Sequence, residues 1–213
     1  LEKELSLLSL DADASTAEIR NAYLRLTTNK KFNKVLLEDP SGRNEFISIY
    51  QAYVTLMKHR SEADSIKSLE LYPQDQIFQL TLNQGIYLAL TQQWMKAAEK
   101  LQEAFILNKN HSLLQTYLGV ILLKRKNEYA AEKYFIKAID INPNNTEAWL
   151  YLGDVYLQTG NLKKAKSIYQ SAADLSGNST MVHKRLQLLK QKELNPDGNQ
   201  ADSLVTRIKK MFG

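Results

Sequence analysis

The chain has 213 residues, a formal net charge of +5, 44% hydrophobic residues, four prolines, eight glycines and no cysteine. The missing cysteines exclude a disulfide framework and a thiolate nucleophile, and no apolar run approaches the roughly 20 residues that a bilayer-spanning helix needs. The composition is that of an all-helical, cytoplasmic protein with enough chain for a substantial core; no signal peptide is visible, and an opening Leu1 in place of Met leaves room for a lost leader or further domains upstream.

The first sixty residues predict two amphipathic helices, over Glu18–Leu26 and Glu45–Leu56, joined by a loop. Ser15 or Thr16 is placed to cap the first of them beside Glu18. The pairs Ala22-Tyr23 and Ala52-Tyr53, with the loop between them, resemble the second and third helices of a J-domain, and that resemblance implies a short first helix over Leu5–Leu10. That resemblance implies a place just after the second helix for a His-Pro-Asp triplet, which J-domains use to stimulate ATP hydrolysis by DnaK-type chaperones. Here Lys31-Phe32-Asn33 stands in that place, and His-Pro-Asp occurs nowhere in the chain. The expectation is a J-like module without co-chaperone activity. The resemblance also implies that Arg25, Lys30 and Lys31, with Lys34 nearby, would face a chaperone; a basic helix face kept for solubility is the competing reading.

Over residues 61–77 a connecting helix is expected, with Ala63, Ile66, Leu69 and Leu71 ahead of Pro73. No Gly/Ser-rich tether intervenes, which argues for a rigid junction.

Beyond it, Gly85, Gly119 and Gly153 are spaced 34 residues apart, as are Ala97, Ala131 and Ala165, and again Ala104, Ala138 and Ala172. Short side chains at fixed phases mark places where helices cross closely. This period and these phases resemble tetratricopeptide repeats, pairs of antiparallel helices that stack on one another. The resemblance improves along the chain. The last unit reads Trp149-Leu150-Tyr151-Leu152-Gly153, then Tyr156, a turn at Gly160-Asn161, and Ala165, Tyr169 and Ala172; the middle one carries Leu118-Gly119, Phe135 and Pro143. In the first, Gln84 and Lys109 depart from the pattern. Tyr156, Tyr169, Phe135 and Trp149 are expected to pack in the core, with Trp94 and Tyr129 packing near turns.

What the repeat resemblance implies is a concave groove lined by the first helix of each unit. The inward phase gives Gln79, Leu82, Ile86 and Ala89, then Leu113, Thr116, Val120, Leu123 and Lys124, then Leu150, Asp154, Leu157 and Gln158. This mostly apolar lining suits an amphipathic helix or extended apolar peptide. It lacks the basic clamp with which some repeat proteins hold acidic chaperone tails, since Ile86, Val120 and Asp154 fill the middle row. The competing reading is that neighbouring helices bury some of these leucines.

Met181–Leu194 reads as a capping helix, with Val182, Leu186 and Leu189 inward and His183, Lys184, Arg185, Lys190 and Lys192 on the wet side, ended by Asn195-Pro196-Asp197-Gly198. From residue 201 to 212 a further amphipathic helix would set Leu204, Val205, Ile208, Met211 and Phe212 against Arg207, Lys209 and Lys210. Its three competing occupancies are the protein's own surface, a partner or second copy, and an anionic membrane.

Catalysis finds no support: His59, His111 and His183 are too scattered to pair on a metal, and neither a phosphate-cradling loop nor a nucleophile motif is present. From Ser179 onward seven Lys/Arg face three Asp/Glu, but no basic stripe interleaved with aromatics points to nucleic acid. The fold class expected is therefore all-α: a J-domain-like helical module over 1–60, a connecting helix over 61–77, an α-solenoid of three tetratricopeptide helix pairs over 78–178, a capping helix over 179–194, and a flexible lead with an amphipathic segment over 195–213. The function expected is a non-enzymatic adaptor or scaffold that binds a protein or peptide partner in its groove, with its own segment 201–212 as a further candidate occupant. No cofactor, metal, nucleic acid or membrane contact is expected. The alternative is a chaperone-associated protein that binds a DnaK-type chaperone without stimulating it.

Overall fold

A computed structural model describes residues 1–28, 39–61, 73–176 and 179–194. Among these residues all regular structure is α-helical: α1 Glu2–Leu8, α2 Thr16–Thr27, α3 Pro40–Ser61, α4 Gln74–Leu90, α5 Trp94–Leu107, α6 Ser112–Lys124, α7 Glu128–Ile141, α8 Thr146–Gln158, α9 Leu162–Ser176 and α10 Thr180–Leu194. The chain forms two compact units, Leu1–Lys109 and Asn110–Gly213, which divide inside the repeat array and not at its start.

In the first unit the Ser15–Glu18 capping box forms as its residues predict. The Ser15 hydroxyl accepts from the Glu18 amide at 3.3 Å, and the Glu18 carboxylate accepts from the Ser15 amide at 2.8 Å and hydroxyl at 2.7 Å. α3 starts earlier than its hydrophobic pattern suggests, at Pro40, where the fixed φ of proline favours a first helical turn.

A run of stacked tyrosines joins the helices of this unit from its core outward. Tyr23 of α2 is fully buried, stacked on Tyr53 at 4.3 Å and edge-on to Tyr50 at 6.2 Å, and Tyr50 in turn stacks on Tyr87 of α4 at 4.2 Å. The buried Asn83 amide donates to the Thr27 hydroxyl at 2.8 Å. Helices α2 and α3 thus share one core with the first helix of the first repeat. The segment 62–72, on which most of the predicted connecting helix falls, lies outside the described residues.

The three helix pairs, α4/α5, α6/α7 and α8/α9, are built alike. A Cβ added to Gly85, Gly119 or Gly153 would meet Leu101 at 2.7 Å, Phe135 at 2.6 Å or Tyr169 at 2.3 Å. Those three partners are themselves 34 residues apart and fully buried, as are all six alanines of the two series. Each first helix also ends in the same way. Gln92, Lys126 and Gly160 take left-handed φ values of 61°, 56° and 79°. The amide of the following residue reaches back to Leu88, Leu122 or Tyr156 at 2.8–3.0 Å, the Schellman arrangement. Asn127 and Asn161 then cap the second helices of their pairs.

Two polar assemblies are buried in the second unit. Asn145 accepts from the Ala148 amide at the start of α8, and its own amide donates to Ser112 at 2.7 Å and Thr116 at 3.0 Å on α6. The Ser112 hydroxyl donates to the Ala138 carbonyl of α7 at 2.7 Å. At the other end of α8, Asp154 is wholly buried, accepts from the Tyr169 hydroxyl at 2.6 Å, and is gripped by both arms of Arg185 at 2.8 and 2.7 Å. This fork is charge-assisted and bidentate, and it joins α8, α9 and the cap α10.

Candidate functional site

The thirteen residues of the predicted groove fall into two groups, decided by burial. In the first unit Leu82, Ile86 and Ala89 are each 1% exposed, and Gln79 is half-buried on the same helix. In the second unit Thr116, Val120, Leu123, Leu150, Asp154 and Leu157 are buried, while Leu113, Lys124 and Gln158 are half-buried. Nine positions therefore pack inside the protein, because inward phase on a first helix brings a side chain against neighbouring helices of its own unit before it reaches solvent. Of the thirteen, Gln79 in one unit and Leu113, Lys124 and Gln158, on the contacting helices α6 and α8, in the other keep part of their surface in solvent.

Lys124 is the electrostatic feature of that α6–α8 surface. Burial pushes its ammonium down to about 8, because a cation taken from water favours its neutral form. Asp154 contributes nothing to the surface; its charge is spent on Arg185.

Several expected exposures are reversed. Arg185, placed on the wet side of the cap by its charge, is 5% exposed, and it falls in register with the buried Val182 and Leu189. Leu186, expected inward, is half-buried, and Leu188 takes its place in the core. Tyr129, expected to pack near a turn, is 72% exposed and carries the Lys133 ammonium 4.4 Å above its ring. Trp149 and Tyr156 are half-buried and not full core members. Trp149 donates to the Pro143 carbonyl at 2.8 Å, and Tyr156 donates to Glu132 at 2.6 Å. Burial first, and the Glu132 bond second, push the Tyr156 hydroxyl up to about 12.

Of the residues expected to face a chaperone, Arg25 is exposed near the end of α2, while Lys30 and Lys31 lie outside the described residues, as does the segment 201–212. The first unit also carries an open cavity of about 540 Å³ between α1, α3 and α4, with Leu7, Val54, Tyr50 and Tyr87 among its walls. Sequence reasoning missed this cavity, since a hydrophobic pattern marks faces and not the gaps between them. Among the described residues no group of three or more His, Asp or Glu is placed to hold a metal ion, and no helix is long and apolar enough to cross a membrane.

Residues 18–212 match the model of the family described as anaphase promoting complex subunit 8 / Cdc23. No curated protein matches the chain. Among solved structures, the Arabidopsis OM64 TPR domain is 20% identical, with a TM-score of 0.53 over 56% of this chain and 98% of that one. The first TPR of Spaghetti (RPAP3), bound to an HSP90 peptide, is 17% identical, with a TM-score of 0.51 over 55% and 93%. The MamA protein is 18% identical, with a TM-score of 0.51 over 92% and 91%. These likenesses show a tetratricopeptide fold. The family match runs without a break through α2 and α3, and nothing in these comparisons supports the J-domain resemblance of those helices.

Proposed function

Because this chain belongs to the anaphase promoting complex subunit 8 / Cdc23 family, we propose that it is a non-enzymatic scaffold, a helical-repeat subunit that holds protein partners together inside the cell. The observation that carries this reading is the family match across residues 18–212, laid over repeat pairs whose interiors are filled with packing residues. The α6–α8 surface with Leu113, Lys124 and Gln158 is the proposed partner contact of the second unit. There an apolar anchor near the start of α6 and a cation at its end, eleven residues apart, suit a peptide or helix that runs along α6 with an apolar face and a carboxylate.

A photo-crosslinking residue at position 113, introduced into the full chain in its own cells, tests this. The reading expects adducts to a defined protein. Purified, that protein binds the unaltered chain and loses about tenfold affinity for a Leu113→Glu/Lys124→Glu variant that keeps its helical circular dichroism, as interface anchors do. No adduct to another protein even in a chain that lacks residues 201–213, or equal affinity for the variant, would sink the proposal.

The self-ligand form of this reading places segment 201–212 on that surface. Deleting residues 201–213 then strengthens partner binding; unchanged affinity excludes it. A second reading, motivated by the exposed Arg25 on α2, keeps the J-like character of α2 and α3 and gives the chain a DnaK-type chaperone as a partner that it does not stimulate. Chaperone binding lost in Arg25→Glu, with ATPase unchanged, is the outcome it requires.

A further inference from the structure

One end of the second unit gathers cations that the repeat pattern does not call for. Lys163, Lys164 and Lys166 occupy the first turns of α9, and Lys190 and Lys192 the last turns of α10. The two helices pack against each other so that Lys166 lies 3.8 Å from Glu193. Lys192 donates to the Leu157 carbonyl at 2.9 Å, and Lys164 sits 5.0 Å from the centre of the Tyr156 ring, so the two lysines flank consecutive residues at the end of α8. Lys163, Lys164, Lys166 and Lys190 are all exposed. The nearby acids do not balance them: Glu193 meets one lysine, and Glu132 receives the Tyr156 hydroxyl. Arg185, in the heart of α10, is already neutralised by Asp154.

We propose that this lysine cluster, on the α9 start and the α10 end, is a docking surface for an acidic, Glu/Asp-rich segment of a partner protein, sharing no residue with the α6–α8 surface. Charge complementarity identifies the occupant. Four exposed ammonium groups on two packed helices, Lys163, Lys164, Lys166 and Lys190, offer point charges to single carboxylates spaced along an extended chain. The features that would favour other polyanions are missing among the described residues of the cluster. It holds no exposed arginine fork for bidentate phosphate contact, and its one aromatic ring, Tyr156, is half-buried beneath Lys164 and not open for base stacking. Between the lysines no large apolar side chain is exposed to enter a bilayer, apart from Leu194 at the very end of α10.

The test uses the full chain and a fluorescein-labelled peptide of alternating Glu and Gly, read by anisotropy. Saturable binding is expected, weakening several-fold between about 50 and about 150 mM salt as screening tightens. Lys163→Glu/Lys190→Glu is expected to lose about tenfold affinity or more while keeping its circular dichroism. Should that variant unfold, Lys163→Gln/Lys190→Gln serves in its place, with a smaller loss. Leu113→Glu/Lys124→Glu, on the other surface, is expected to bind the peptide as the unaltered chain does, so the two proposals fail separately. Absence of saturable binding, or equal affinity in both lysine variants, would overturn the assignment. So would displacement of the peptide by an RNA hairpin or by phosphatidylserine vesicles at lower concentrations than by unlabelled peptide.

Discussion

Arg185 of the capping helix and Asp154 of α8, 31 residues apart, form a buried bidentate ion pair at 2.7 and 2.8 Å, with the Tyr169 hydroxyl as a third member at 2.6 Å. Asp154 stands at the phase that Ile86 and Val120 hold in the earlier repeats, and Tyr169 at the phase of Leu101 and Phe135. Only the last repeat thus carries a charge there, and the cap that covers it brings the counter-charge. A cap side chain at Arg185 would find no carboxylate against either earlier repeat, so the pair addresses the cap to one end of the array.

Removing one partner leaves the other as a buried, uncompensated charge. Asp154→Ile or Arg185→Met alone is expected to destabilise the protein by about 3–5 kcal/mol. The combination Asp154→Ile/Arg185→Met/Tyr169→Phe makes this phase apolar, as it is in the earlier repeats with Ile86 and Leu101 or Val120 and Phe135, and is expected to fall within about 2 kcal/mol of the unaltered chain, since apolar replacement of a whole buried pair is often neutral. Urea unfolding of the four proteins measures both. A triple variant as unstable as the singles would show that the pair contributes more than its replacement by apolar packing.

The repeat glycines yield a ranking. Alanine gains about 1 kcal/mol over glycine inside an exposed helix, but here its Cβ would sit 2.3 Å from the Tyr169 ring at position 153, 2.6 Å from Phe135 at 119 and 2.7 Å from the end of Leu101 at 85. Rings held in a core yield less than the tip of a leucine. Gly153→Ala and Gly119→Ala are expected to lose about 1–3 kcal/mol to overpacking, and Gly85→Ala less than either. Thermal midpoints in the reverse order would show that the helix pairs separate easily, contrary to the close-contact account of the small residues.

At the turns between paired helices the same left-handed conformation falls to Gln92, Lys126 and Gly160. A residue with a side chain pays about 1–2 kcal/mol there; glycine avoids that strain but has more freedom to lose on folding. Lys126→Gly is expected to stabilise by up to about 1 kcal/mol, and Gly160→Ala to destabilise by a similar amount. Chemical denaturation of the two variants reads both signs, and matching signs would refute the strain argument.

What could be read from the sequence was what the 34-residue period protects. Glycines, alanines and their large partners recur because two helices cross at the same point in each unit, and all of them are found packed as that geometry requires. The lining of the groove was less legible. Phase alone tells which side of a helix faces inward, but not how much neighbouring helices cover, and so Leu82, Val120 and Leu150 proved to be interior. Arg185 was hidden by its charge: a helical wheel puts it in line with Val182 and Leu189, and that position was the better guide than its polarity. The Asn145 network could have been suspected from an Asn before a helix, yet its partners Ser112 and Thr116 lie about one repeat away, where spacing gives no cue to a hydrogen bond.

Lys124 makes the partly buried surface of the second unit sensitive to pH. Its folded pKa, about 8, lies below its ordinary value of 10.5 because burial disfavours the cation. Between those values the unfolded chain holds a proton that the folded chain has released, so this residue makes stability rise with pH across that window and leaves a constant penalty below it. Lys124→Met keeps the length of the side chain and removes the charge. It is expected to be more stable than the unaltered protein at pH 7, with the difference shrinking as pH climbs from about 8 toward 10.5. Comparing the two proteins at each pH cancels the opposing effect of the buried tyrosines, whose pKa values are raised. A difference that stays flat across the window, measured by urea midpoints at matched ionic strength, would mean that Lys124 keeps its full hydration and that the α6–α8 surface is more open than its burial indicates.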